Sequence, residues 1–169
     1  MQDYNKGVLT PLVIRQVIEA SKANDVPTGV DPKLNNFWEY KGATLYKPNL
    51  RELEAALGKM LKTDAEVEET GRQILHRLEL EHLLVTRGAK GMVLFQDDEV
   101  IHIPAHAHRV HDVSGAGDTV IATIMTALAG GATIYEAATL ANYAASVVIA
   151  EVGAVPIDPD KLRRACVER

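Results

Sequence analysis

At 169 residues the chain is long enough to bury a sizeable core as one domain, and 47% hydrophobic with 24% charged residues excludes a disordered or fibrous protein. A net charge of −5 argues against a bulk electrostatic grip on nucleic acid or on an acidic membrane surface. Cys166 is the sole cysteine, which excludes an intramolecular disulfide and a cysteine-rich zinc cage, and no long apolar span or secretory leader shows, so the expectation is a cytoplasmic globular domain.

In chain order, Thr10-Pro11 opens a first helix with Thr10 as N-cap, and Leu9, Leu12, Val13, Val17 and Ala20 form its expected apolar stripe. Val26 to Asp31 reads as a short strand and Pro32 to Tyr40 as a polar loop carrying Phe37 and Trp38. Ala43 to Tyr46 is another short apolar run. Asn49 starts a helix to about Leu57, and Thr63-Asp64-Ala65-Glu66 is a capping box for the next, which buries Val67, Ile74, Leu75 and Leu78. His82 to Thr86 is a strand, Arg87 to Gly91 a glycine turn, Met92 to Phe95 a return strand and Val100 to Ile103 another. Helices follow from Gly115 to about Ala129 and from Thr133 to about Ala150, and Asp158-Pro159 begins a last amphipathic one. No repeat, low-complexity tract or linker divides the chain. Alternating strands and helices predict a parallel sheet covered on both faces, with a hairpin around residues 92–103. Ligands of such sheets bind where loops leave the carboxyl ends of strands.

Three such junctions carry unusual chemistry, one of them a glycine–aspartate run. His111-Asp112-Val113-Ser114-Gly115-Ala116-Gly117-Asp118-Thr119 runs straight into a helix bearing Val120, Ile121, Ile124, Met125 and Leu128. The amides of Gly115, Ala116 and Gly117 are unshielded donors at the positive end of a helix, suited to an anion such as a phosphoryl group in transfer. Asp118, in the first turn, can accept a proton from an attacking hydroxyl. Tight helix–sheet packing, with Asp118 merely complementing the helix dipole, explains the same residues. The third glycine of a dinucleotide fingerprint is replaced by Val120, and no Gly-Lys-Ser or Gly-Lys-Thr of a P-loop occurs.

The run from Asp112 to Thr119 resembles the second signature of the ribokinase-like (PfkB) carbohydrate kinases. The resemblance covers nearly the whole chain. Asp3-Tyr4-Asn5-Lys6-Gly7, Val30-Asp31-Pro32-Lys33, Lys47-Pro48-Asn49-Leu50-Arg51-Glu52 and Thr86-Arg87-Gly88-Ala89-Lys90-Gly91 follow in family order. Within the family the nearest likeness is to the domain that phosphorylates heptose 7-phosphate on the way to ADP-heptose.

The resemblance implies a three-layer α/β/α fold with a mostly parallel sheet, residues 1–169 forming a single domain. It implies ATP-dependent phosphorylation of a sugar or sugar-phosphate hydroxyl. Asp118 matches the catalytic base, and Gly115, Ala116 and Gly117 the anion hole. Asn49 and Glu52 match a motif that positions Mg2+ and nucleotide phosphates largely through water; the same two residues read equally as a helix capping box. Thr86, Gly88 and Gly91 match a nucleotide loop, though glycines between strands also make plain hairpins. Asn142 falls near the adenine position, or is one residue of an alanine-rich packed helix. Asp3 and Lys6 fall near the sugar and phosphates, with Asn5 in place of the usual glycine. Asp112 falls near a monovalent-cation site, or is a strand-end turn residue. His102, His106, His108 and His111 match no compact zinc spacing.

The resemblance also implies a further N-terminal half, with most sugar-binding side chains, ahead of this chain's first residue. The fold would then be incomplete and expose a sheet edge, favouring a homodimer or another association. The competing expectation is a truncated module that holds nucleotide without turnover.

Overall fold

The computed structural model describes residues 1–106 and 110–167, so His108 lies outside the described residues. The chain divides into two compact units, Met1–Arg87 with Val93–His102, and Gly88–Met92 with Ile103–Arg169.

In the first unit, helix α1 (Pro11–Ala23) is capped by Thr10, whose hydroxyl accepts the Val13 amide. The expected stripe on this helix is a correction. Ile14 and Ile18 are buried, whereas Leu12 and Val17 are exposed at 55% and 38%. Apolar residues occupy more than one face of α1, and only the Ile14–Ile18 face meets the core.

Strands β1 (Gly29–Val30), β2 (Leu45–Tyr46), β3 (His82–Thr86), β4 (Met92–Gln96) and β5 (Glu99–Ile103) form one sheet in that order. β1, β2 and β3 are parallel, with Gly29 opposite Leu45 and Leu45 opposite His82. The links through residues 87–91 and 97–98 are too short for parallel crossovers, so β4 and β5 return as hairpin strands. β1 and β2 are shorter than the sequence suggests. Thr28 and Thr44 exchange bonds in which each backbone amide donates to the other's hydroxyl at 3.1 Å, while their carbonyls accept from the Leu45 and His82 amides. The chain's own first residues lie on the β1 edge through a parallel bridge between Gln2 and Asp31, the Asp3 amide donating to the Asp31 carbonyl at 3.0 Å.

Helix α2 (Leu50–Leu57) begins at Asn49 and helix α3 (Asp64–Arg77) at Thr63, each with a complete capping box as the sequence predicts. α3 packs very close to the sheet: a methyl group added at Gly71 would fall 2.1 Å from the Phe95 ring. Phe37, placed by the sequence in a polar loop, is core. Its ring meets that of Tyr46 edge-on at 5.5 Å, and the Tyr46 hydroxyl donates to the Phe37 carbonyl at 2.6 Å. Trp38 is half-buried beneath the Arg77 guanidinium, 3.7 Å from the ring centre.

The second unit contains helices α4 (Ala116–Ala129), α5 (Ile134–Val148) and α6 (Pro159–Val167). α5 packs on α4 and α6, burying Ala137, Ala138, Ala141 and Ala144, small residues that admit close helix approach. Of the expected α4 stripe, Val120 and Ile124 are buried and Ile121, Met125 and Leu128 only partly so.

Candidate active site

In the first unit the carboxyl ends of three parallel strands gather most of the ionic chemistry. Asp31 follows β1, Lys47 follows β2 and Thr86 closes β3, where the Thr86 amide donates to the Pro48 carbonyl at 3.1 Å and bridges Asn49. The Lys47 ammonium lies 3.0 Å from Asp31 Oδ2, which also accepts from the Gln2 side-chain amide at 3.0 Å. Asp31 is 4% and Lys47 2% exposed.

Glu52 stands beside them with its two oxygens divided. Oε2 accepts the Asn49 amide at 2.9 Å, while the Asn49 side-chain oxygen accepts the Glu52 amide at 2.9 Å, so the capping box exists. Oε1 pairs with the Lys33 ammonium, which also sits 4.0 Å from Asp31 Oδ1. Capping and metal positioning therefore do not exclude each other, because the cap uses one carboxylate oxygen and leaves the other turned toward a cation. Magnesium needs hard oxygen donors, takes few carboxylates and keeps much of its water. Two carboxylate oxygens that already converge on one ammonium fit that requirement. Among the described residues no group of three or more histidine, cysteine or acidic side chains forms a metal cage.

Asp31, Lys33 and Lys47 acquire no individual role from the sequence. The signal was present, since Asp31 and Lys47 are each the first residue beyond a strand, but only the parallel register shows that the two positions adjoin.

In the second unit, Gly115 caps α4 in a left-handed conformation (φ 76°), and no side chain caps the helix. Glycine adopts that conformation without the Cβ clash other residues meet. The Ala116 amide turns back to the Val113 carbonyl at 3.2 Å and the Thr119 amide bonds the Gly115 carbonyl at 2.9 Å. The Gly117 amide falls within the first turn, where helical geometry supplies no carbonyl partner. Of the three expected anion-hole amides, that of Ala116 is thus engaged within the loop. The Asp118 side chain is exposed in the same turn.

Asp112 orders the approach to this helix. Its carboxylate accepts the Ser114 amide at 2.9 Å and the Gly153 amide at 3.1 Å, tying residues 112–114 to the segment after α5. Hydrogen bonds from Ser114, followed by those from the Gly153 and Val113 amides, hold this carboxyl below its usual range. The arrangement shapes the loop with or without a monovalent cation.

The remaining expected site residues have internal partners or open exposure. A side chain at Gly91 would meet the Ile103 carbonyl oxygen at 2.1 Å, so this glycine permits two backbone segments to touch; Gly88 faces open space. Asn142 is buried and donates to the Pro104 carbonyl at 2.7 Å. Asp3 is buried, accepting from Asn36 at 2.9 Å, Tyr40 at 2.9 Å and the Asn5 amide at 2.8 Å. Asn5 takes the left-handed conformation (φ 53°) that its replacement of glycine requires, and Lys6 is exposed. His102 pairs with Glu68 at 2.8 Å and His106 meets the Tyr143 ring at 4.3 Å.

Residues 6–161 match the pfkB family carbohydrate kinases. The chain belongs to the PfkB carbohydrate kinase family. Among its relatives, the bifunctional protein HldE of Aeromonas hydrophila is 43% identical across 98% of this chain and 34% of its own length. The HldE protein of Coxiella burnetii (strain Dugway 5J108-111) is 44% identical across 98% and 34%. The chain therefore spans about a third of the length of these curated relatives. Phosphofructokinase-2 of Escherichia coli, solved with potassium, superposes with a TM-score of 0.84 at 19% identity, covering 94% of this chain and 52% of that one. Arabidopsis thaliana ribokinase, solved with ribose and ATP, superposes with a TM-score of 0.81 at 27% identity, covering 92% and 52%. These likenesses establish the ribokinase-like α/β fold of this PfkB chain. Among the described residues, no helix is long and apolar enough to cross a membrane.

Proposed function

We propose that this chain carries the nucleotide-binding and proton-accepting part of an ATP-dependent kinase for a heptose phosphate. The observation that supports it most is the start of α4, a helix opened by left-handed Gly115 without a side-chain cap and carrying Asp118 exposed in its first turn. In this reading the acceptor hydroxyl gives its proton to the Asp118 carboxylate. Its oxygen bonds the terminal phosphorus of ATP as the bond from that phosphorus to the bridging oxygen breaks, and ADP leaves. The first-turn amide at Gly117 stabilises the charge on the moving phosphoryl group.

Thr86, Gly88 and Gly91 would contribute the nucleotide loop in this reading, and Glu52 with Asp31 would hold Mg2+. Bound there, Mg2+ would offset the charge of the nucleotide phosphates. The choice of heptose phosphate rests on the HldE relatives.

A second reading, nucleotide binding without turnover, is favoured by Asp3. This acidic side chain, expected near the sugar, bonds three internal donors. Calorimetry with Mg·ATP and mass spectrometry of heptose 7-phosphate, fructose 6-phosphate and ribose after incubation with Mg·ATP test both. Phosphorylated heptose supports the kinase; binding with no phosphorylated sugar supports the module; no binding removes both.

A further inference from the structure

We propose that Lys33 is a displaceable stand-in for the divalent cation, competing with it for the Asp31 and Glu52 carboxylates. This rests on the metal placement given above and adds a competitor to it. Two carboxylates, Asp31 and Glu52, and two ammoniums, Lys33 and Lys47, lie together at the ends of β1 and β2. The buried Asp3 carboxylate within reach of Lys33 and the N-terminal ammonium within reach of Asp31 add one charge of each sign. Their charges cancel, so the cluster is balanced without any metal.

The two lysines are not equivalent. Lys47 is withdrawn from water, its ammonium 3.0 Å from Asp31 Oδ2, and removing it would strand a buried charge. Lys33 springs from the loop after β1, its side chain is 31% exposed, and it spans the other oxygens, Glu52 Oε1 and Asp31 Oδ1. Water can take over its solvation, so it is the cation that can leave. Lys47 stays and continues to neutralise Asp31, which keeps the site from accumulating two bare carboxylates.

A divalent ion entering between Asp31 Oδ1 and Glu52 Oε1 must displace Lys33, since an ammonium and a dication cannot share those oxygens. The displaced ammonium gains from an anion nearby, and a nucleotide phosphate is one. Metal and nucleotide binding are then linked through Lys33: each favours the other, and the linkage is lost with the lysine.

Mn2+ serves as the probe, its free concentration followed by electron paramagnetic resonance in titrations of the whole chain. Lys33→Met and Lys33→Gln are expected to bind Mn2+ at least roughly fivefold more tightly than wild type, the lower end of usual coupling between sites. Lys33→Arg keeps the wild-type affinity and Glu52→Gln weakens it. In parallel melting curves, Mn2+ raises the Tm of Lys33→Met more than that of wild type. Unchanged or weaker Mn2+ binding in both neutral variants, with Glu52→Gln still impaired, overturns the competition and leaves the metal placement standing. Unchanged binding in Glu52→Gln overturns the placement and the competition together.

Discussion

The Lys47 ammonium lies 3.0 Å from the Asp31 carboxylate, and the two residues retain only 2% and 4% of their exposure. They stand at the carboxyl ends of neighbouring parallel strands, the place where this sheet type receives ligands. A buried pair of this kind is costly to break, because Asp31 would keep its charge, left with the Gln2 amide and the more distant Lys33 beside it.

Lys47→Met is therefore expected to destabilise the chain by about 3–5 kcal/mol in urea unfolding. Adding Asp31→Leu should restore a large part of that loss by removing the stranded carboxylate. A single-variant loss below about 1 kcal/mol would be typical of a solvated surface pair, and would contradict the burial.

Asp118→Asn, at an exposed side chain of the same size, should leave the fold intact and nucleotide affinity within a few-fold. If Asp118 takes the acceptor proton, turnover falls by about 10²–10⁴-fold, the usual contribution of general base catalysis. Calorimetry and a phosphoryl-transfer assay on one preparation separate the two effects. Undiminished turnover removes Asp118 from the chemistry.

Two glycines of the turn between β3 and β4 should respond very differently to alanine. At Gly88 the added methyl meets open space and the cost is that of a left-handed alanine, about 1–2 kcal/mol. At Gly91 the same methyl would press on the Ile103 carbonyl and on backbone atoms of Pro104 and Ala105, none of which can rotate away. Gly91→Ala is expected to lower Tm distinctly more than Gly88→Ala. Equal melting temperatures would show that the 103–105 segment yields.

Asp3 predicts a pH dependence. Burial works against its ionised form, but hydrogen bonds from Asn36, the Asn5 amide and Tyr40, helped by the Lys33 charge, outweigh it and hold the carboxyl below its ordinary value of 3.8. A lowered native pKa means that the unfolded chain binds the proton more readily. The stabilisation is thus fully present above the ordinary value and is lost as pH falls through the lowered one. Burial, then the bond to Asp3, pushes the Tyr40 phenol up, so it remains a donor throughout this window. Asp3→Asn should destabilise at neutral pH and make the acid limb of a stability–pH curve shallower. A limb of unchanged slope would assign acid unfolding to other carboxylates.

Local signals were the legible ones. Thr10, Asn49 and Thr63 cap their helices as their neighbours predict, because a cap involves residues only three positions apart. β3 likewise spans the residues its hydrophobic run marks. The α1 stripe was misjudged for a physical reason: Leu9, Val13 and Val17 recur at helical spacing just as Ile14 and Ile18 do, and periodicity cannot say which face a sheet will cover. At the candidate site, the Gly115–Asp118 turn was legible as a contiguous run. The Asp31–Lys47 pair was not, since two short strands must first align to bring those side chains together.

The absence of a side chain at Gly71 seats α3 directly on the Phe95 ring, leaving no slack between helix and strand. At that contact even one added methyl group has no room, so helix and strand are fixed at this spacing. The loops beyond the strand tips can then change in sequence without disturbing the slab beneath them.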